Sequence, residues 1–147
     1  MSELKALTLT QPWASLMALR EKKIETRSWY TTYRGEIVIH AAKGFPRWAK
    51  DTCYEPAFRA ALGGVAPKDL PLSLGLCVVR LVACIPTDQL NKIELALGSR
   101  PRVAELMFGD YSDGRFAWVT EYLYPLKNQR PVKGALGLWA WPVEVAA

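Results

Sequence analysis

Apolar and polar positions along the chain change period several times, and each change predicts an element. Residues 4–9, LKALTL, alternate as in an edge or barrel strand. TQPWASLMALRE then shifts to helical spacing, with Trp13, Leu16, Met17 and Arg20 in phase. Thr10 stands in the capping position and Pro12 in the first turn, where its missing N–H costs little. Residues 24–29 return to period two: Ile24, Thr26 and Ser28 point one way, Glu25, Arg27 and Trp29 the other. After the turn TTYRG, EIVIHAA is a clear strand. Residues 47–62 have helical spacing, which Pro56 should split, and GGVAPKDLP is a connector.

The second half reads mainly as strands. LSLGLCVVRLVACIP is too long for one flat strand, and Gly75 is the expected bend. TDQLNKIELAL and PRVAELMF predict short helices opened by Thr87 and Pro101. GDYSDG predicts a turn, since it lacks both the calcium-loop pattern and its closing glutamate. RFAWVTEYLYPL and GLWAWPVEV are further strands. Five or six strands with inserted helices predict an α+β fold, a small mixed β-barrel with peripheral helices, and one domain over 1–147.

Composition narrows the function. Half of the residues are hydrophobic and 22% are charged, as in a globular protein. The strongest apolar run is broken by Arg80, so no membrane partner is expected. The first residues, with Glu3 and Lys5, lack an apolar signal core, and the expected location is cytoplasmic. Cys53, Cys77 and Cys84 form no CxxC pair and read as reduced core residues. With one histidine, a His-based zinc site and zinc-deaminase chemistry have no ligand set. No GxSxG, HExxH or P-loop occurs, so no cofactor is expected.

Charge is more informative. The net charge is +5, and residues 20–50 hold eight basic and three acidic side chains; the rest of the chain balances. A concentrated positive field suits a phosphate-bearing or polyanionic partner. At its centre lies EKKIETRSW, residues 21–29. Lys22 sits where the helix hands over to the strand. Glu25 could hold that lysine and leave Arg27 to meet an anion, or accept hydrogen bonds from a base edge. The competing reading is an exposed ion pair worth ~0–1 kcal/mol. His40, at a strand end, is either a satisfied core residue or a proton carrier. Lys43 and Gly44 could let the backbone approach a phosphate. Trp29, Tyr30, Tyr33, Phe45 and Trp48 interleave with the basic residues, a mix that suits single-stranded nucleic acid at roughly 1–3 kcal/mol per stacked base. The competing reading is core packing, expected for most of the five, and one or two exposed rings would serve for stacking.

TLTQPWASLMALREKKIETRSW followed by YRGEIVIHAAK resembles the ASCH domain family, related to PUA-like RNA-binding domains. Its signature G-x-K-x-x-E-x-R reads R-E-K-K-I-E-T-R here, with Lys22, Glu25 and Arg27 at the charged positions and Arg20 in place of glycine. GRFAWVTEYLYPL to KGALGLWAW resembles the family's closing strands, leaving 47–72 and 87–113 as variable insertions. The resemblance implies a PUA-like barrel with the three charges at a cleft beside the first helix, and RNA binding or a place in coactivator complexes. Some small members resemble amidohydrolases that deacylate a modified cytidine, and ribonuclease activity is attributed to others. In the amidohydrolase type a threonine stands where this chain has Glu25, and Thr26 should face the other side of a regular strand.

The expected function is therefore a nucleic-acid or nucleotide-binding module, with RNA ahead of DNA. Lys22 and Arg27 would meet phosphate or a base carbonyl, with Glu25 orienting them. Arg34, Lys43 and Lys133 would extend the rim, Trp29 or Trp118 would stack, and His40 would stand at the strand end. The alternative is a hydrolase in which Lys22 and Glu25 are general base and partner. A protein-interaction module is a third reading. Nothing in the pattern sets an oligomeric state.

Overall fold

The computed structural model describes residues 4–142. The alternating or continuous apolar runs form strands β1 (Lys5–Leu9), β2 (Ile24–Arg27), β3 (Gly35–Ala41), β4 (Gly75–Pro86), β5 (Phe116–Pro125) and β6 (Leu138–Ala140). They hydrogen-bond into one sheet of order β2-β5-β4-β3-β1-β6. β1 runs parallel to β3, and every other neighbouring pair is antiparallel. The sheet curls into a half-barrel, the α+β architecture expected from the sequence. Irregularities at Ile39/His40 in β3 and at Val78/Val79 and Leu81/Ala83 in β4 break the register, and such bulges bend a strand. Among the described residues the ladder does not close, and β2 and β6 are its two edges.

Helix α1 (Trp13–Ala18) lies across the sheet and buries Ala14 and Met17 against Leu7, Leu9, Ile39, Val79 and Trp118. The apolar members of its helical repeat thus face the sheet. Leu16 points elsewhere, into a second core with Phe58, Leu62 and Phe108. That core joins α1 to α2 (Arg47–Thr52), α3 (Pro56–Ala61) and α5 (Val103–Met107). The two insertions therefore meet on the outer face of α1. α4 (Leu90–Leu97) instead seals Ile93 against Ile24 and Val119. No helix among the described residues is long and apolar enough to cross a membrane.

Several local expectations are corrected. Thr10 does not cap α1: Gln11, wholly buried, accepts the Ser15 N–H (2.9 Å) and donates to the Ser15 hydroxyl and the Pro71 carbonyl, both 2.8 Å. Gly75 begins β4 rather than bending it, because an added Cβ would lie 2.7 Å from the Trp141 ring. Gln89 and Arg102, not Thr87 and Pro101, stand at the helix starts. Thr87 instead donates its hydroxyl to the Ser112 carbonyl at 2.9 Å, tying down the turn before β5. Pro56 does split the 47–62 run, as expected. The last strand ends at Ala140, and 143–145 of the expected run lie outside the described residues.

A tight turn at the end of α1 aims the chain into β2. Arg20, at the signature's glycine position, has a left-handed φ of 64°. That conformation costs a side-chain-bearing residue roughly 1 kcal/mol, and the guanidinium offsets it by stacking 4.2 Å over Tyr122. The turn lets the N–H groups of Glu21 and Lys22 both reach the Leu16 carbonyl, at 3.0 and 3.2 Å. Lys22 is thereby directed inward.

Candidate functional site

Among the described residues β2 pairs only with β5, in the register Ile24 with Val119 through Arg27 with Phe116. The Thr120 N–H bonds the Lys23 carbonyl at 2.9 Å, so the alternation leaves Ile24 and Thr26 turning their backbone groups away from β5. Side chains from distant segments cover this edge. Glu105 accepts the N–H groups of Lys23 (2.7 Å) and Ile24 (3.3 Å), Lys22 donates to the Ile24 carbonyl, and Arg115 donates to the Thr26 carbonyl at 3.1 Å.

On this edge the three signature charges converge. One carboxylate oxygen of Glu25 lies 3.0 Å from Lys22 Nζ and the other 3.1 Å from Arg27 Nη1. Exposure rises along the series: the Lys22 side chain is 0% accessible, Glu25 12% and Arg27 24%. A fully buried ammonium needs a compensating charge, and Glu25 supplies it. The expectation that Lys22 meets a ligand directly is therefore corrected. Its ammonium is spent on Glu25 and the Ile24 carbonyl, and Glu25 and Arg27 are the members that face outward.

They face a cleft of about 530 Å³. It is lined by Glu25, Thr26 and Arg27 of β2, by Trp13 and Trp48, by Met107 to Asp110 and by Arg115. The Trp13 indole N–H donates to the Phe108 carbonyl at 2.8 Å and ties α1 to the segment after α5. Trp48, 62% exposed, lies 5.8 Å from Trp13 at 46° between ring planes. Thr26, expected on the far side of the strand, lines the cleft as well. Its hydroxyl accepts the Asp110 N–H at 3.0 Å, and Gly109 permits the approach, since a Cβ there would lie 3.1 Å from Thr26 and 2.8 Å from Tyr111. Hydrogen bonds from the Ser112 side chain and backbone, helped by Arg115, hold the Asp110 carboxyl below its ordinary range.

The other expected site residues lie elsewhere. Trp118 is a core residue and no stacking platform; its indole donates to the Trp29 carbonyl (3.3 Å), and half-buried Trp29 packs edge-on against it at 4.7 Å. Arg34 braces its own turn through the Thr31 and Tyr33 carbonyls, both 2.8 Å. Lys43 and Lys133 are exposed and outside the cleft lining. The residues not selected from sequence are Trp13, Trp48, Asp110 and Arg115. Trp48 stood in the aromatic run beside the basic segment; the other three gave no local sign.

His40 takes the core alternative and not a place among the binding residues. It is buried, with Nε2 2.7 Å from the Val132 carbonyl and Nδ1 3.0 Å from the Thr8 hydroxyl. Only the tautomer with the proton on Nε2 satisfies both. Burial pushes its pKa below the ordinary 6.5, against the upward pull of bonds to Val132 and Ser73. The folded state thus holds fewer protons than the unfolded one, so stability is lost as pH falls from about 6.5 through the lower folded-state value. Urea unfolding at about pH 7.5 and about pH 5.5 should show this loss, and His40→Gln should remove that component. Equal pH dependence in both proteins would refute it.

The ASCH domain family model matches residues 7–128. The chain is 27% identical over 135 residues to "Activating signal cointegrator 1" of Mus musculus and of Homo sapiens. The alignment covers 90% of this chain and 21% of each relative, so the chain spans about a fifth of their length. Among solved structures, the ASCH protein of Zymomonas mobilis and a point mutant of it each superpose with a TM-score of 0.52, at 15% and 14% identity. They cover 97% of this chain and 90% and 93% of theirs, a likeness of fold. The family match takes in the end of β1, all of β2 to β5 and every residue that lines the cleft, and the chain belongs to the ASCH domain family.

Proposed function

We propose that the cleft over β2 binds single-stranded nucleic acid, RNA ahead of DNA, with one base against Trp48 and Trp13 and its phosphate or carbonyl on Arg27 and Arg115. The observation that carries this is the Glu25 clamp. Arg27 spends Nη1 on Glu25, and its remaining guanidinium donors make no hydrogen bond among the described residues. The guanidinium is thus held in place with donors to spare. Glu25 presents a fixed acceptor beside it, the right partner for a base amino group. The volume fits a nucleotide-sized ligand, and the relation to PUA-like RNA-binding domains favours RNA.

Fluorescence anisotropy with a labelled single-stranded RNA tests it. Trp48→Ala removes an exposed ring that supports no core contact of the sheet, and should weaken binding by roughly 1–3 kcal/mol, or about 5- to 150-fold. The log–log salt dependence should have a slope of about −0.7 per neutralised phosphate. Binding that is flat from low to physiological salt overturns the reading. The hydrolase alternative requires Lys22 to reach a substrate, whereas its side chain is sealed behind Glu25. Incubation with acylated cytidine and short RNAs decides between them: product that disappears in Lys22→Ala would favour the hydrolase.

A further inference from the structure

The connector between β5 and β6 contains KNQRPVK, residues 127–133, with Lys127, Arg130 and Lys133 and no acidic residue. All three side chains are exposed and make no ion pair among the described residues. A loop carrying like charges would ordinarily swing into solvent, where the charges repel least. This one is pinned. The Val132 N–H donates to the Ser73 carbonyl at 2.8 Å, and the Val132 carbonyl accepts from His40 at 2.7 Å. His40 is held in turn by the Thr8 hydroxyl, which accepts the Trp139 indole N–H at 3.1 Å. Next along the loop, a Cβ on Gly134 would lie 2.7 Å from the Thr8 hydroxyl and 3.0 Å from the His40 ring, so only glycine allows this approach. The fold thus fixes the backbone at the end of a loop whose three cations have no ion-pair partner among the described residues.

That place lies on the other face of the sheet, where Val132 packs against the core of Ala6, Val38 and Trp141, and a backbone path leads from it round the strand ends to the cleft. Leu9 lines the cleft and accepts the Ala42 N–H (2.9 Å); Ala41 accepts the Ser73 N–H (2.9 Å); Ser73 accepts the Val132 N–H (2.8 Å). Paired strand residues lie about 5 Å apart and successive Cα atoms 3.8 Å, so the path from cleft to loop is at most about 20 Å. Lys43, exposed and in no ion pair among the described residues, follows Ala42 midway along it. A mononucleotide in the cleft cannot reach the loop, but a strand of a few nucleotides can.

We infer that the pinned 127–133 loop is a second phosphate-binding surface, so that the protein takes a polynucleotide strand running from the cleft past Lys43 to Lys127, Arg130 and Lys133, and not a free nucleotide. This rests on the proposed nucleic-acid binding in the cleft and extends it.

The test uses the whole chain and two probes, a single-stranded RNA of about eight nucleotides and a ribonucleoside monophosphate. Two triple variants with equal charge loss are compared, K127A/R130A/K133A in the loop and R59A/K68A/K92A elsewhere on the surface. The loop variant should lose about tenfold or more in RNA affinity at low salt and flatten the salt slope by about 2, while its affinity for the monophosphate stays unchanged. The control variant should change neither. Equal weakening by both triples, or by neither, overturns the loop. If the loop fails while Trp48→Ala still weakens both probes, the cleft stands alone. If the loop triple weakens RNA and Trp48→Ala has no effect, the loop binds phosphate but the cleft reading falls, and the strand path from the cleft falls with it.

Discussion

Glu25→Ala should unfold about 10 °C below the wild type. The substitution leaves the Lys22 ammonium at 0% side-chain exposure with a backbone carbonyl as its remaining partner. Removing one member of a buried ion pair costs about 3–5 kcal/mol, because the other charge stays desolvated and uncompensated. At about 2–4 °C per kcal/mol for a chain of this size, the shift is well outside error. Glu25→Gln keeps an acceptor for Lys22 and should lose less. The decisive comparison is Lys22→Met combined with Glu25→Leu. Replacing both charges by apolar groups of similar volume removes the desolvation problem, so the double variant should recover most of the stability while still failing to bind RNA, since Arg27 has lost its anchor. Thermal unfolding of the three proteins checks this order. A Glu25→Ala protein with wild-type stability would mean that Lys22 finds water or another partner, and that Glu25 is no structural clamp.

The elements legible in the sequence are those whose period is imposed by burial on one known side. β3 and β5 have long alternating or continuous apolar runs, and the 47–62 helix breaks at Pro56, where the missing N–H and the ring leave the chain no choice. What failed depended on partners far away in sequence. Thr10 has the right chemistry for a cap, but Gln11 takes the role because Pro71, sixty residues on, gives its side chain a second bond. The site divides in the same way. Lys22, Glu25 and Arg27 are separated by intervals that let one carboxylate touch both cations, so their convergence could be read. That Lys22 points inward could not, because this requires the left-handed turn at Arg20 and an edge of β2 closed by Glu105 and Arg115. Which tryptophans line the cleft was hidden for a related reason. Trp118 is buried in the core between the sheet and α1, with Met17 and Leu81, whereas Trp13 and Trp48 come together only once the variable insertion folds back on α1.

Glu105→Ala should cost about 2–4 kcal/mol, although residue 105 is neither in the signature nor in the cleft lining. Its carboxylate is the partner of two N–H groups at the start of β2, those of Lys23 and Ile24, at 2.7 and 3.3 Å. Alanine leaves both without a partner where Ile24 is fully buried, and unsatisfied buried donors cost about 1–3 kcal/mol each. Titration gives an independent check of opposite sign to that of His40. Burial raises the Glu105 carboxyl above its ordinary 4.5, outweighing the pull of the two N–H groups and of Lys22 and Arg102. A raised acid binds its proton more tightly in the folded state, so this group's contribution to stability declines as pH rises from about 4.5 through the raised value. Glu105→Gln keeps one acceptor but cannot titrate; it should lose less stability than alanine at neutral pH and lack this decline in urea unfolding between about pH 4 and about pH 7. Because the same carboxylate fixes the strand that carries Glu25 and Arg27, alanine at 105 should also weaken RNA binding without touching the ligand, and glutamine should restore much of it. A fully stable Glu105→Ala protein with intact binding would show that β2 holds its edge through β5 alone, and that the cleft needs no support from the insertion that delivers Glu105.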